Sequence, residues 1–200
     1  MVCRHPKRNL CNWDNHLTLQ KYYAQVMFYT CSFSHYLRLL SIFLIALTSC
    51  VTESDENIGV GVGDSVPTFE VTLDDGETVT NNSLRGRVGV IVFFSTTCGD
   101  CRRELPQVET VYRHFEEDDD VLIFAVSREE KPGAVETFWN ELGLTFLYSA
   151  QNDRAVYNLF ATIGVPRIYI TDKRGIIVKI YDDSRAFDSQ ELIDTIDYYK

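Results

Sequence analysis

The residues from Val88 to Phe94 form an almost continuous run of β-branched and aromatic side chains, interrupted only by Gly89. A run of this length and composition is typical of a strand that is buried on both faces. Such a strand needs an apolar layer above and below it, which helices ordinarily provide. The run therefore predicts a central sheet with helices on both sides.

Alternating strands and helices are predicted around this run. Thr68 to Leu73 alternates apolar and polar residues before the turn at 74–76, which indicates a hairpin. The first buried strands need a crossover helix and hence pair in parallel, whereas the turn at 172–175 indicates a closing antiparallel hairpin. The expected fold class is α/β, with a mixed central sheet, helices on both faces and an N-terminal β-hairpin. The remaining strands are expected at 121–126, 167–171 and 176–181, and the helices at 101–115, 132–142, 153–160 and 188–199.

Two cysteines, Cys98 and Cys101, lie where the first buried strand gives way to a helix. A C-x-x-C sequence at such a junction is typical of a redox-active pair. The unpaired amides and the positive end of the dipole at a helix N-terminus favour a thiolate, which is the reactive form of cysteine. We therefore expect Cys98 to be the exposed nucleophile and Cys101 the resolving thiol in disulfide exchange through a mixed disulfide.

Two other interpretations of the cysteine pair are open. A C-x-x-C can be half of a structural zinc site, but such a site takes four ligands, and His114 is the one histidine after Cys50. An inert disulfide is a second possibility in an oxidising compartment, although so short a loop gives little stabilisation in the chain-entropy model. We expect neither a metal nor a cofactor.

The N-terminal part of the chain contains a short apolar run at residues 39–47, preceded by Arg38. The run is too short to span a bilayer as a helix and fits the apolar region of a secretory signal. The following Leu-Thr-Ser-Cys at 47–50 is similar to a bacterial lipobox, in which the cysteine is lipidated and becomes the mature N-terminus. We therefore expect a lipid on Cys50; the alternatives are a signal that is cut elsewhere and a buried helix.

This interpretation divides the chain into three parts. Residues 1–49 are expected to be a lipoprotein signal region, and a start at Met27 would give that signal an ordinary length. Residues 50–63 are polar and acidic, as in a flexible tether. Residues 64–200 are expected to be the folded domain.

That domain resembles the thioredoxin superfamily, and within it the TlpA/ResA-like branch of membrane-tethered bacterial thiol–disulfide oxidoreductases. The resemblance implies the three-layer sandwich of thioredoxin, with its central mixed sheet. It covers nearly all of residues 64–200, and its motifs are Ser-Leu-Arg-Gly at 83–86, Val-Ile-Val-Phe-Phe-Ser-Thr-Thr-Cys-Gly-Asp-Cys-Arg-Arg-Glu-Leu-Pro at 90–106, Ile-Gly-Val-Pro at 163–166 and Ile-Thr-Asp-Lys-Arg-Gly-Ile-Ile at 170–177.

The resemblance also implies roles for individual residues. Cys98 and Cys101 match the redox pair. Pro166 matches the cis-proline that faces the pair, an arrangement that would present the backbone of Val165 to an extended substrate; the alternative is an ordinary trans proline. Glu104 matches an acidic residue that serves proton exchange, and the alternative is a carboxylate on the helix surface.

The sequence departs from the family at three positions near the pair. Thr97 stands where the family usually has tryptophan, and Asp100 where it has proline. Val92 replaces the buried aspartate of thioredoxin itself. The charge of Asp100 opposes a neighbouring thiolate but favours a helix N-terminus, so its net effect is open at this point.

The expected function is that of a lipid-anchored thiol–disulfide oxidoreductase in the bacterial cell envelope, facing the periplasm or the exterior. It would exchange disulfides with protein substrates, in the reducing direction, and receive electrons from an integral-membrane donor. The net charge of −10 and the sequence pI near 4.8 argue against a nucleic-acid partner. Two alternatives stay open: a peroxiredoxin-like thiol peroxidase, with Ile91 at its proline position and Ser95 at its hydroxyl position, and a redox-inert thioredoxin-like binding module.

Overall fold

The computed structural model describes residues 59–184 and 186–200. The predicted signal region, the predicted lipidation site Cys50 and the predicted tether as far as residue 58 lie outside the described residues. The strands are β1 (Glu70–Thr72), β2 (Thr78–Thr80), β3 (Val88–Phe94), β4 (Val121–Ser127), β5 (Leu147–Ser149), β6 (Arg167–Thr171) and β7 (Ile177–Tyr181). The helices are α1 (Gly99–Phe115), α2 (Pro132–Leu142), α3 (Tyr157–Phe160) and α4 (Ser189–Tyr199), and a 3-10 helix (Asn81–Leu84) precedes β3.

The central sheet has five strands in the order β5-β4-β3-β6-β7, and β1 and β2 form a separate hairpin. Strands β3, β4 and β5 are parallel, whereas β6 and β7 are antiparallel to their neighbours. All seven residues of β3 are buried, as their apolar side chains predict for the middle strand. The mixed sheet and the N-terminal hairpin confirm the predicted fold class.

Helices cover both faces of the sheet. Successive residues of a strand point to opposite faces, so two adjacent residues of β3 contact helices on different sides. Phe93 contacts the rings of Tyr157 and Phe160 on α3, on one face. The adjacent Phe94 contacts Phe138 and Trp139 of α2, on the other face. Among the described helices, none combines the length and the apolar character that crossing a bilayer requires.

Several elements differ from the sequence prediction. Strand β5 and the 3-10 helix were not expected, and with three and four residues they are too short to show a period. Helix α3 begins at Tyr157 rather than at residue 153, because the Asp153 carboxylate accepts a hydrogen bond from the Ala155 N–H (2.8 Å) and holds a turn there. Strand β7 begins one residue late, since the Ile176 N–H is bonded to Asp172 in the preceding turn.

Candidate active site

The two cysteines meet at the start of α1, four residues after β3 ends. The Cys98 N–H donates to the Ser95 carbonyl (3.1 Å), which closes the turn between strand and helix. Cys98 then caps the helix with its side chain: its backbone is extended, and its sulfur accepts a hydrogen bond from the Cys101 N–H (3.2 Å). Because the cysteine itself is the cap, α1 begins at Gly99, two residues earlier than predicted.

The two thiols have different surroundings. Cys98 is half-buried, whereas Cys101 has no exposed surface. Both are free thiols, and they are hydrogen-bonded to each other. Burial raises the pKa of the Cys101 thiol well above its usual range, and the bond to Cys98 adds to this effect. The arrangement therefore holds a protonated thiol directly behind an accessible one.

A loop from the far side of the sheet faces Cys98. The peptide bond between Val165 and Pro166 is cis, and the Cys98 thiol donates to the Val165 carbonyl oxygen (3.2 Å). The loop is fixed from behind by the Tyr157 hydroxyl, which donates to the Gly164 carbonyl oxygen (2.7 Å). Arg167, at the start of β6, donates to the Ile163 carbonyl oxygen (3.0 Å). The expected redox pair and the expected cis-proline thus lie together.

Glu104 lies on the buried side of α1, one turn beyond Cys101. Its side chain is 9% exposed, and its Oε2 atom is buried without a hydrogen-bond partner. Burial raises the pKa of this carboxyl, and the nearby charge of Asp100 adds to the effect while Arg103 opposes it. The charge of Glu104 also contributes to raising the pKa of Cys101. The structure therefore places Glu104 within electrostatic range of the buried thiol rather than on the helix surface.

The two family departures beside the cysteines have local partners. Asp100 forms an ion pair with Arg103 on the first turns of α1. The Thr97 side chain is exposed, and its hydroxyl is hydrogen-bonded to that of Ser95 (3.0 Å). Asp100 therefore has a neutralising neighbour.

Sequence reasoning missed Glu130, which lies on the loop after β4 and contacts the turn before Cys98. Its Oε1 atom accepts hydrogen bonds from the Ser95 hydroxyl (2.7 Å) and the Thr96 N–H (3.0 Å), and its Oε2 atom accepts one from the Thr96 hydroxyl (3.0 Å). One signal was available: Glu130 follows the carboxyl end of β4, which adjoins the carboxyl end of β3 in a parallel pair. Polar side chains that follow neighbouring parallel strands gather at one edge of a sheet.

A protein-family model described as the AhpC/TSA family matches residues 62–180, more than half of the chain. The chain belongs to the AhpC/TSA family. This AhpC/TSA protein is 30% identical over 125 residues to a thiol-disulfide oxidoreductase ResA of Geobacillus thermodenitrificans, with 62% of this chain and 71% of the relative covered. It is 26% identical over 121 residues to the thiol-disulfide oxidoreductase ResA of Bacillus subtilis, with coverages of 60% and 67%.

Solved structures agree with these relatives. The solution structure of a candidate protein disulfide isomerase from Bacteroides thetaiotaomicron has a TM-score of 0.66 and 28% identity, and the match covers 72% of this chain and 93% of that one. Together the comparisons confirm the thioredoxin-like fold, the resemblance to the ResA-like branch and the predicted enzyme class, a thiol–disulfide oxidoreductase.

Proposed function

We propose that the protein exchanges disulfides with protein substrates through Cys98 and Cys101, in the reducing direction. The observation that supports this most is the asymmetry of the pair. The Cys98 sulfur is accessible and receives an amide hydrogen bond at a helix N-terminus, whereas Cys101 is fully buried behind it. This is the arrangement that a nucleophile and a resolving thiol need.

In the first step the Cys98 thiolate attacks one sulfur of a substrate disulfide. A bond forms between the Cys98 sulfur and that substrate sulfur, and the second substrate sulfur leaves as a thiolate that takes up a proton. The N–H of Cys101 and the positive end of the α1 dipole stabilise the attacking anion. Cys101 stays protonated during this step, because burial raises the pKa of its thiol.

In the second step Cys101 loses its proton and attacks the Cys98 sulfur. The mixed disulfide breaks, the substrate leaves as a dithiol with two electrons and two protons gained, and Cys98 and Cys101 are left as a disulfide. The buried Cys101 needs a nearby base, and we assign that role to the Glu104 carboxyl. A pKa raised by burial suits Glu104 for holding and releasing a proton.

The substrate would lie along the loop at residues 163–166. The loop is fixed by Tyr157 and Arg167, and its Val165 carbonyl already contacts the reactive sulfur. The Ile163 side chain is 69% exposed beside it and offers apolar surface to a bound chain. An extended substrate segment that pairs with the Val165 backbone would bring its disulfide to Cys98.

The cellular setting is also part of the proposal. The short apolar run at 39–47 and the lipobox-like sequence ending in Cys50 support export and lipid anchoring. We propose that the enzyme is anchored in the bacterial cell envelope, facing the periplasm or the exterior, and that an integral-membrane donor returns the two electrons to the Cys98–Cys101 disulfide after each cycle.

Insulin reduction by the purified protein with dithiothreitol tests the chemistry. The wild type is expected to accelerate the reaction, Cys98→Ser to abolish the acceleration, and Cys101→Ser to accumulate the mixed disulfide, visible as a mass increase. Full activity in Cys98→Ser would refute the assignment. Peroxide consumption without disulfide reduction would indicate the peroxidase alternative, and inactivity towards both would indicate a binding module.

Direction and anchoring have separate tests. Redox titration against glutathione should give a reduction potential near that of thioredoxin, about −270 mV, whereas a value near −120 mV would indicate an oxidant.

Cys50→Ala should move the protein from the membrane fraction to the soluble fraction and remove the mass of the lipid. A Cys50→Ala protein that stays on the membrane with an unchanged mass difference would refute the anchor.

A further inference from the structure

The carboxylate of Glu130 joins two loops that are far apart in sequence. Both of its oxygens accept hydrogen bonds from the turn before Cys98, one from Ser95 and Thr96 together and one from the Thr96 hydroxyl. The Glu130 N–H in turn donates to the Gln151 carbonyl oxygen (2.6 Å), just after β5. Glu130 is therefore held by the sheet edge and holds the active-site turn.

The turn that Glu130 holds is bonded to both sulfur-bearing residues. The Ser95 carbonyl accepts the hydrogen bond of the Cys98 N–H (3.1 Å). The Cys98 sulfur in turn accepts the hydrogen bond of the Cys101 N–H (3.2 Å), so the turn is linked to both cysteines, and the Ser95 backbone lowers the pKa of the Cys101 thiol. Ser95 itself is 4% exposed, so its hydroxyl has Glu130 and Thr97 as partners in place of bulk water. A shift of Ser95 would move both cysteines relative to each other.

We propose that Glu130 is a positioning residue of the redox centre. Its carboxylate fixes the turn at residues 95–97 and thereby keeps the Cys98 and Cys101 sulfurs in the geometry from which they close a disulfide. The proposal rests on the proposed function, since it assigns a role within that same site. Pre-organisation raises the effective concentration of one thiol towards the other, so loosening the turn disfavours the ring-closed form.

The bonding pattern allows position to be separated from charge. A glutamine at 130 can keep its Oε1 atom on the Ser95 hydroxyl and the Thr96 N–H, while its amide donates to the Thr96 hydroxyl, which accepts as readily as it donates. Glu130→Gln thus keeps three contacts and loses the charge. Glu130→Ala loses the three contacts as well as the charge. Glu129 provides the matched control, because it is exposed and pairs with Arg128 and Arg154 rather than with the turn.

The measurement is the equilibrium between the protein dithiol and oxidised glutathione, which yields the Cys98–Cys101 disulfide and two molecules of reduced glutathione. For Glu130→Ala we expect the equilibrium constant for disulfide formation to fall at least about tenfold, or about 30 mV in potential. Glu130→Gln should stay within about threefold of the wild type. Glu129→Ala should match the wild type.

The results that would overturn the proposal are distinct from those that would overturn the function. If Glu130→Ala has the wild-type equilibrium constant, Glu130 does not position the pair. A loss in Glu130→Gln equal to that in Glu130→Ala would mean that charge, not geometry, is responsible. If Glu130→Ala fails to fold, Thr96→Val deletes one of the three bonds and should lower the constant measurably; an unchanged constant would overturn the proposal. A wild-type protein that forms no disulfide at all would refute the proposed function instead.

Discussion

Replacing Tyr157 with phenylalanine removes one hydroxyl group from a ring that is 1% exposed. That hydroxyl donates to the Gly164 carbonyl oxygen at 2.7 Å, directly before the cis peptide of Val165 and Pro166. A net hydrogen bond contributes about 1 kcal/mol, and a buried polar group that loses its partner costs about 1–3 kcal/mol; the Gly164 carbonyl is partly buried, so its loss lies within this range. We expect the free energy of unfolding to fall by about 2 kcal/mol and the melting temperature by roughly 4–8 °C for a domain of this size.

Urea unfolding followed by circular dichroism gives the free energy, and insulin reduction gives the effect on the site. Tyr198→Phe is the neutral control, because that side chain is 81% exposed. Tyr169→Phe separates stability from function, because the buried Tyr169 hydroxyl donates to the Phe160 carbonyl oxygen (3.0 Å) rather than to the loop at residues 163–166. The Tyr169→Phe variant should lose a similar amount of unfolding free energy. It should reduce insulin faster than the Tyr157→Phe variant does. If Tyr157→Phe and Tyr198→Phe unfold within about 0.5 kcal/mol of each other, the reasoning is wrong.

Three further substitutions have defined outcomes. Phe93→Ala removes a fully buried ring that contacts three other aromatic rings and should lower the unfolding free energy by about 3–5 kcal/mol in urea titrations. Gly164→Ala should lower it by at least about 1 kcal/mol, because residue 164 has φ +82° and a Cβ there would lie 2.8 Å from an Asp183 oxygen; an unchanged midpoint would contradict this. Burial raises the pKa of Glu104, so protonation of this carboxyl stabilises the folded state relative to the unfolded state. This stabilisation is lost as the pH rises from the unfolded pKa of about 4.3 through the raised pKa of the folded state. The wild type should therefore lose stability relative to Glu104→Gln as the pH rises above about 4.3, and parallel pH profiles would contradict the assignment.

Local signals in the sequence predicted the elements that have strong local causes. Strand β3 and helix α2 have the predicted bounds, Val88–Phe94 and Pro132–Leu142. The strand is a continuous apolar run, and the helix has a proline at its first turn and ends at Gly143 in the left-handed conformation. Strand β5 has no such signal: its three residues pair with β4 at the sheet edge, and only tertiary packing defines them.

The residues of the candidate active site fall into the same two groups, those with a local sequence signal and those defined by tertiary contacts. The placement of Cys98 and Cys101 together at a helix start was predictable, because the sequence displays the strand-to-helix junction locally. Glu130 and Tyr157 were not predicted, because no local pattern shows their hydrogen bonds: Glu130 accepts three from a turn distant in sequence, and the Tyr157 hydroxyl reaches the Gly164 carbonyl in the loop before β6. The burial of Glu104 also follows from packing: helical spacing placed it one turn from Cys101 but could not show that its Oε2 atom lacks a partner.

The Cys98 sulfur caps α1, and in the proposed mechanism it is also the reacting atom. The proposed chemistry is therefore linked to the local stability of the helix. When the sulfur is alkylated or joined to a substrate, it becomes a weaker acceptor for the Cys101 N–H, and the first turn loses part of its end stabilisation. Amide hydrogens in that turn should then exchange with solvent faster than in the free dithiol. Fraying of the helix end would therefore report whether the Cys98 sulfur is free or covalently bound.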